Sequence, residues 1–232
     1  MTHSLVVQAG NLIQSGDIVR AEALLTALVE TDGDHALIEV LDEMPSKDLL
    51  AVIREYDSSK QSLLSLLITP EQFARVVVLD RLYKDVSNEH LRGMMNSIIF
   101  REDADANEFI AAIAELEFGY ETFADYLADR AEEVVGETFA ALELEDLTRA
   151  EISDHDWKEL TWLLLHEHSD VYAIVRALLK TRMEEYHQGK VQDKVTAEMI
   201  SATGDVEFVS LSDAQEKEPK DKDDDEEDDS AI

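Results

Sequence analysis

Apolar residues recur every third or fourth position through most of this chain, which is the spacing of one buried face of an α-helix. The first amphipathic stretch covers residues 4–15, and Gly16 follows at the position where helices commonly end in a left-handed conformation. Asp17 can then cap a second helix, which we expect to stop before Gly33. The start of the chain therefore predicts a helical hairpin.

The stretch over residues 34–85 contains several short amphipathic segments with almost no linker between them. Its clearest helix start combines Thr69 as the cap, Pro70 at the first helical position and Gln72 three residues after the cap. Pro45 opens a similar segment earlier in the chain. We predict a superhelical stack of short antiparallel helices, which is an α-solenoid-like arrangement.

The C-terminal part carries longer helical patterns and then loses them. We predict a short helix over residues 138–147 and then a longer helical hairpin. Its first helix contains both tryptophans, and its second helix begins at Asp170 and ends at Gly189. The final residues are mostly acidic and almost never apolar, so burial cannot offset the entropy lost on ordering. We expect this acidic tail to be disordered.

These patterns divide the chain into four parts. They are a helical-repeat array over residues 1–118, a C-terminal helical block over residues 119–190 that packs on it, a weakly structured segment over residues 191–211, and the disordered acidic tail over residues 212–232. The composition agrees with an all-α fold, because 8 glycines and 3 prolines in 232 residues are few for the tight turns of an all-β protein.

Acidic residues outnumber basic ones by 53 to 20, which gives the chain a formal net charge of −33. This charge repels phosphate backbones and anionic lipid headgroups, so nucleic acids and membrane surfaces are poor partners. Basic proteins and divalent cations are better ones. The same charge also serves solubility or adaptation to a salty cytoplasm, and the sequence leaves these interpretations open.

The chain contains no cysteine, which excludes disulfide bonds, thiolate metal sites and cysteine nucleophiles. Its N-terminal residues lack the basic region of a signal peptide, and no apolar run approaches the ~18 residues that a membrane-spanning helix needs. We expect a cytoplasmic protein without direct membrane insertion.

The C-terminal block holds His155, His166, His168 and His187. Among them only His166, paired with Asp170, has the four-residue spacing that lets two helical side chains share a metal ion. The chain lacks the HExxH zinc motif, the GxSxG nucleophile motif and a glycine-rich phosphate loop. We therefore predict a protein that is not an enzyme and needs no cofactor, with His166 and Asp170 as candidate metal ligands.

Met94 and Met95 form the other candidate site. Flexible methionine side chains often line adaptable protein-binding surfaces, so this pair is a candidate for contact with a partner. Methionines at helical spacing also fill hydrophobic cores, and the sequence alone leaves both interpretations open.

Two segments, MPSKDLLAVIREYD and ITPEQFARVVVLD, share an opening proline and a closing acidic residue. In this respect residues 34–116 resemble the cytosolic N-terminal domain of MgtE-type magnesium transporters and the related helices of flagellar motor-switch proteins. The resemblance implies a right-handed superhelix of short helices whose acidic faces meet partner domains, with divalent cations between them in the transporters. The chain lacks the regulatory modules and membrane helices of those transporters, so transport is not implied.

Three functional hypotheses follow from the sequence. The leading one is a non-enzymatic cytoplasmic scaffold or adaptor whose helical-repeat surface binds a basic or cationic segment of another protein. The alternative is a regulatory domain that responds to Mg²⁺ or Ca²⁺ through its acidic helix faces, because these ions prefer oxygen ligands. The third is a metal-assisted hydrolase that uses His166 and Asp170.

Overall fold

The computed structural model describes residues 3–55, 62–83, 88–136 and 147–203, with side chains described as far as residue 190. Over these ranges the chain forms thirteen α-helices and one 3₁₀ turn, without a β-strand, which confirms the predicted all-α class. The helices are α1 (Ser4–Gln14), α2 (Ile18–Asp32), α3 (Asp34–Glu43), α4 (Ser46–Glu55), α5 (Leu63–Leu67), α6 (Pro70–Leu82), α7 (Glu89–Ile99), α8 (Ala106–Ala114), α9 (Gly119–Tyr126), α10 (Ala131–Val135), α11 (Arg149–Ile152), α12 (Trp157–His166) and α13 (Ser169–Thr203).

The first two helices form the predicted hairpin. Gly16 adopts a left-handed φ of 83° in the turn, and the Asp17 side chain accepts a hydrogen bond from the Arg20 backbone N–H at the start of α2. Ala9 and Ala21 are fully buried where α1 and α2 pack together. Small side chains at these positions allow the two helices to approach closely.

Gln72 caps the start of α6 and also forms a hydrogen bond to a neighbouring helix. Its side-chain oxygen accepts from the Thr69 backbone N–H, while the Thr69 hydroxyl accepts from the Gln72 N–H, so the predicted capping box is confirmed. The Gln72 side-chain amide also donates to Asp42 of α3 at 2.7 Å. Because Gln72 is fully buried, these bonds satisfy polar groups that would otherwise be costly to remove from water.

Helix α6 lies at the centre of the core. It packs against α4, α7, α8 and α9, and its Val76 and Val77 side chains are fully buried. The Phe73 ring meets the edge of Phe109 from α8 with ring centres 5.7 Å apart. Burying each such side chain is worth about 1.5–3 kcal/mol, so the contacts around α6 are a major source of stability.

The last helix is longer than predicted. Val171, Val175 and Leu179 recur every fourth residue and are buried, as expected for one face of α13. The helix does not end at Gly189 but continues to Thr203, so that predicted boundary is wrong. A glycine inside a helix costs only about 1 kcal/mol relative to alanine, which the helix-forming residues around it can offset.

The chain divides into two compact units, residues 1–186 and residues 187–232. The boundary predicted after residue 118 falls inside the first unit. The predicted short helix of residues 138–147, apart from its last residue, and the predicted disordered tail of residues 212–232 lie outside the described residues. No helix in the described ranges is both long enough and apolar enough to cross a membrane.

Candidate protein-interaction surface

The turn between α8 and α9 holds an aromatic side chain in a strained conformation. Phe118 has a φ of 68°, a left-handed value that bulky residues rarely adopt. A Cβ atom on the next residue, Gly119, would lie 1.9 Å from the backbone oxygen of Ile113, so only glycine fits there. The Phe118 side chain remains 43% exposed. Such strain persists only where the surrounding structure imposes it, and it is frequent at functional sites.

An apolar groove lies beside this turn. It has a volume of about 330 Å³ and is lined by Ser46, Arg75, Val78, Leu79, Leu82, Leu116 and Glu117. Leu82 is 61% exposed at the end of α6, and Tyr83 next to it is also exposed. We refer to these lining residues together with Tyr83 and Phe118 as the α6 surface. An exposed group of large apolar side chains with a polar rim is typical of a protein interaction site.

Arginines fix the two aromatic side chains of the α6 surface. The Arg54 guanidinium lies 5.8 Å from the centre of the Tyr83 ring, and that of Arg81 lies 5.5 Å from the centre of the Phe118 ring. Arg81 is itself held by Asp125 of α9, with the Arg81 Nε and the Asp125 Oδ2 2.6 Å apart. Cation–π contacts of this kind contribute about 0.5–2 kcal/mol each, so they help to hold both rings in place.

A larger groove at the N-terminal end has a different character. It lies between α1 and α2, has a volume of about 530 Å³ and is lined by Gln8, Asn11, Leu12, Arg20, Ala23 and Leu24. Among the described residues that line it none is aromatic, and the polar ones are two amides and one arginine. Exposed aromatic anchors dominate binding energy at protein interfaces, so the α6 surface is the stronger candidate.

Most arginines of the chain form ion pairs with carboxylates of the same chain. These arginines are Arg20, Arg54, Arg81, Arg92, Arg101, Arg130, Arg149 and Arg182. The acidic residues outnumber the basic ones more than twofold, so many carboxylates face solvent without a compensating cation. The field around the molecule is therefore strongly negative.

A partly buried polar cluster connects α7, α9 and the start of α12. The Tyr126 hydroxyl lies 2.9 Å from the Asp156 Oδ1, and the Arg92 Nη2 donates to the Asp156 Oδ2 at 2.6 Å. Burial and the neighbouring Asp156 charge raise the pKa of Tyr126 well above its usual value. Burial alone would raise the pKa of Asp156, but hydrogen bonds from Asn96, Tyr126 and Arg92 lower it below its usual value. The cluster therefore holds an anionic carboxylate and a neutral phenol, which suits a structural role.

A second set of polar contacts surrounds Glu159 of α12. This buried carboxylate accepts hydrogen bonds from the Arg149 Nε at 2.8 Å and from the Ser153 hydroxyl at 2.6 Å. The Asp154 side chain accepts from the backbone N–H groups of Asp156 and Glu159 and so caps the helix. These acidic residues anchor the start of α12.

The structure corrects the prediction that Met94 and Met95 form a partner-binding surface. Both side chains lie in the core, where they are 1% and 0% exposed. Helix α7 contacts α4, α5 and α6, and these neighbours cover two adjacent positions of the helix at once. The interpretation of the pair as core filler agrees with this burial.

The structure places His166 and Asp170 on successive helices. His166 is the last residue of α12, where its ring lies 4.5 Å from the Trp162 ring, and Asp170 is in the first turn of α13. In the described part of the chain, no group of three or more His, Asp or Glu side chains is arranged to hold a metal ion. A metal site at this pair stays a prediction.

Comparison with protein-family models, with curated proteins and with solved structures finds no significant match to this chain. The resemblance to the magnesium-transporter domain therefore stays an expectation.

Proposed function

We propose that this chain is a non-enzymatic adaptor in the cytoplasm that binds an amphipathic, basic segment of another protein on its α6 surface. The observation that carries the proposal is the strained, exposed Phe118 beside an apolar groove in a chain of net charge −33. Apolar side chains of the partner would fill the groove, and its basic residues would face the acidic surroundings.

The apolar part of the interface supplies most of the affinity. Leu82 and Phe118 already expose much of their side chains, so a partner that covers them removes apolar area from water at about 25 cal/mol per Å². Because arginines fix Tyr83 and Phe118, little side-chain freedom is lost on binding.

The acidic charge supplies selectivity and speed. A strongly negative molecule attracts basic segments over several ångströms and raises their rate of association, while it repels acidic ones. At physiological ionic strength this attraction is screened over ~8 Å, so binding should weaken as salt is added.

The proposed function also involves the arrangement of the short N-terminal helices. We infer that the short helices from α1 to α8 stack as an α-solenoid-like scaffold, as the resemblance to the N-terminal domain of MgtE-type transporters implies. The direct packing of α2 on α3 and on α4, and of α4 on α6, supports this arrangement. In such a scaffold, outward-facing positions are free to form a binding face.

Two synthetic peptides test the function. One repeats leucine and lysine in an amphipathic helical pattern, and the other replaces every lysine with glutamate. We expect the intact chain to bind the leucine–lysine peptide in fluorescence anisotropy and not the acidic one. Leu82→Glu should weaken binding at least tenfold, because one buried charge costs more than 1.4 kcal/mol.

Val19→Glu is the matched control, because Val19 is as exposed as Leu82 but lies on α2, away from the α6 surface. It adds the same negative charge and should leave binding nearly unchanged. Equal binding of both peptides, or equal effects of the two substitutions, would contradict the proposed function.

A further inference from the structure

Asp125 of α9 joins two arginines from different helices. Its Oδ2 atom lies 2.6 Å from the Nε of Arg81 on α6, and its Oδ1 atom lies 2.7 Å from the Nη1 of Arg182 on α13. Two guanidinium groups share one carboxylate, so this Arg81–Asp125–Arg182 bridge carries an excess positive charge in a strongly acidic protein.

The bridge keeps hydrogen-bond donors that face solvent. The side chains of Arg81 and Arg182 are 25% and 34% exposed, and each uses one nitrogen on Asp125. Among the described residues, the buried side-chain atoms without a hydrogen bond are Ser65 Oγ and Arg101 Nε. Nitrogens of Arg81 and Arg182 that form no hydrogen bond are thus not buried. The unused N–H groups of the bridge are therefore accessible, and a planar guanidinium fork suits a carboxylate.

A second apolar groove begins at the other end of the bridge. It has a volume of about 560 Å³ and is lined by Ala173, Ile174, Ala177, Leu178, Thr181, Arg182 and Glu185 of α13. Ile174 is 41% exposed there. Arg182 belongs to this α13 groove, while Arg81 contacts Phe118 of the α6 surface, so the bridge connects the two apolar regions.

We propose that the α6 surface and the α13 groove form one continuous interface, in which the Arg81–Asp125–Arg182 bridge binds an acidic residue of the partner. This inference rests on the proposed function and specifies the partner further. The partner is a basic amphipathic segment that carries a single carboxylate between two apolar clusters, one for each groove.

The bridge provides specificity through both attraction and repulsion. A partner carboxylate would neutralise the excess positive charge of the two arginines and accept charge-assisted hydrogen bonds from them. A lysine at the same place would be repelled by both arginines. Glu185, which also lines the α13 groove about one turn along the helix from Arg182, favours the basic residues that flank this carboxylate. The partner's acidic residue therefore sets its register on the two grooves.

Three peptides test this inference. Each is an amphipathic leucine–lysine helix of about 24 residues, or ~36 Å, and the central residue of the polar face is glutamate, glutamine or lysine. We expect the intact chain to bind the glutamate peptide about tenfold more tightly than the lysine peptide, with the glutamine peptide between them. Arg182→Gln should bring the ratio of these two affinities close to one.

Two further variants keep the test informative. Arg130→Gln removes an arginine that pairs with Glu133 and lies outside both grooves, and it should preserve the tenfold ratio. Arg182→Lys keeps the charge but loses the planar fork, so it should reduce the ratio even if Arg182→Gln fails to fold. Failure of every peptide to bind would contradict the proposed function and this inference together. Binding without a preference for glutamate, or a preference that survives Arg182→Gln, would overturn this inference alone.

Discussion

Gly119 is the residue whose replacement has the most clearly defined structural consequence. A Cβ atom at this position would meet the backbone of Ile113, and backbone cannot move aside as a flexible side chain can. Gly119→Ala should therefore destabilise the fold by about 1–3 kcal/mol, which urea denaturation can measure. The same change should weaken binding on the α6 surface because it displaces Phe118.

Gly93 offers a control for the same substitution. It lies inside α7, and a Cβ atom there would meet nothing within 4 Å. Gly93→Ala should raise the free energy of unfolding by about 0.5–1 kcal/mol, because alanine loses less backbone entropy in a helix. Similar effects of the two substitutions would show that the turn is less constrained than the structure indicates.

Asp156 makes the free energy of unfolding depend on pH. Its pKa is lowered in the folded state, so its contribution is present at neutral pH and is lost as the pH falls through the folded pKa, below the ordinary value of ~3.9. The free energy of unfolding of the unmodified chain should therefore fall more steeply between about pH 5 and pH 2 than that of Asp156→Asn. Asp129→Asn, at an exposed carboxylate 3.8 Å from the same arginine, should change the free energy little. Parallel curves for the unmodified chain and Asp156→Asn would contradict this role.

At the scale of elements, α6 shows how a local signal sets a helix boundary. The Thr69 hydroxyl accepts from the Gln72 N–H at the start of the most central helix. Thr69→Ala should lower the free energy of unfolding by about 1 kcal/mol, as measured by denaturant titration. Thr181→Ala removes a hydroxyl that bonds back to Ala177 within α13 and should have a much smaller effect. Equal effects would argue against the capping role.

The sequence predicts those elements whose signals are local. The capping box at Thr69 and the glycine turn before Asp17 involve residues close together in the chain, and both are present. The strained Phe118 depends instead on the approach of Ile113 to Gly119, which periodicity cannot reveal. An aromatic residue directly before a glycine, between two helical patterns, is the one signal that would have pointed to it.

Whether a predicted site residue is exposed depends on the other helices that pack around its own helix. Whether Met94 and Met95 face solvent is decided by the helices that surround α7, and these come from other parts of the chain. The grooves likewise consist of side chains from separate helices, such as Leu82 and Leu116. Sequence patterns identify the apolar face of each helix but not which part of that face remains uncovered.

At the scale of the whole molecule, adaptor function and cation sensing predict different roles for the acidic charge. In the described part of the chain, acidic side chains cap helices and bind arginines, and none forms a three-ligand metal site. The proposed adaptor function predicts that melting temperatures in millimolar Mg²⁺ equal those in NaCl of matched ionic strength. An increase specific to Mg²⁺ would favour the regulatory alternative, and treatment with a chelator should then reverse it.

The location of the bound segment tests the central claim most directly. A leucine–lysine peptide that carries a photoreactive benzophenone can be crosslinked to the intact chain, and mass spectrometry then identifies the residues that it reaches. We predict crosslinks to Leu82, Tyr83 and the turn at Phe118, which are lost when excess unlabelled peptide competes. Crosslinks concentrated in the groove between α1 and α2, around Leu12 and Leu24, would contradict the assignment of the α6 surface as the binding site.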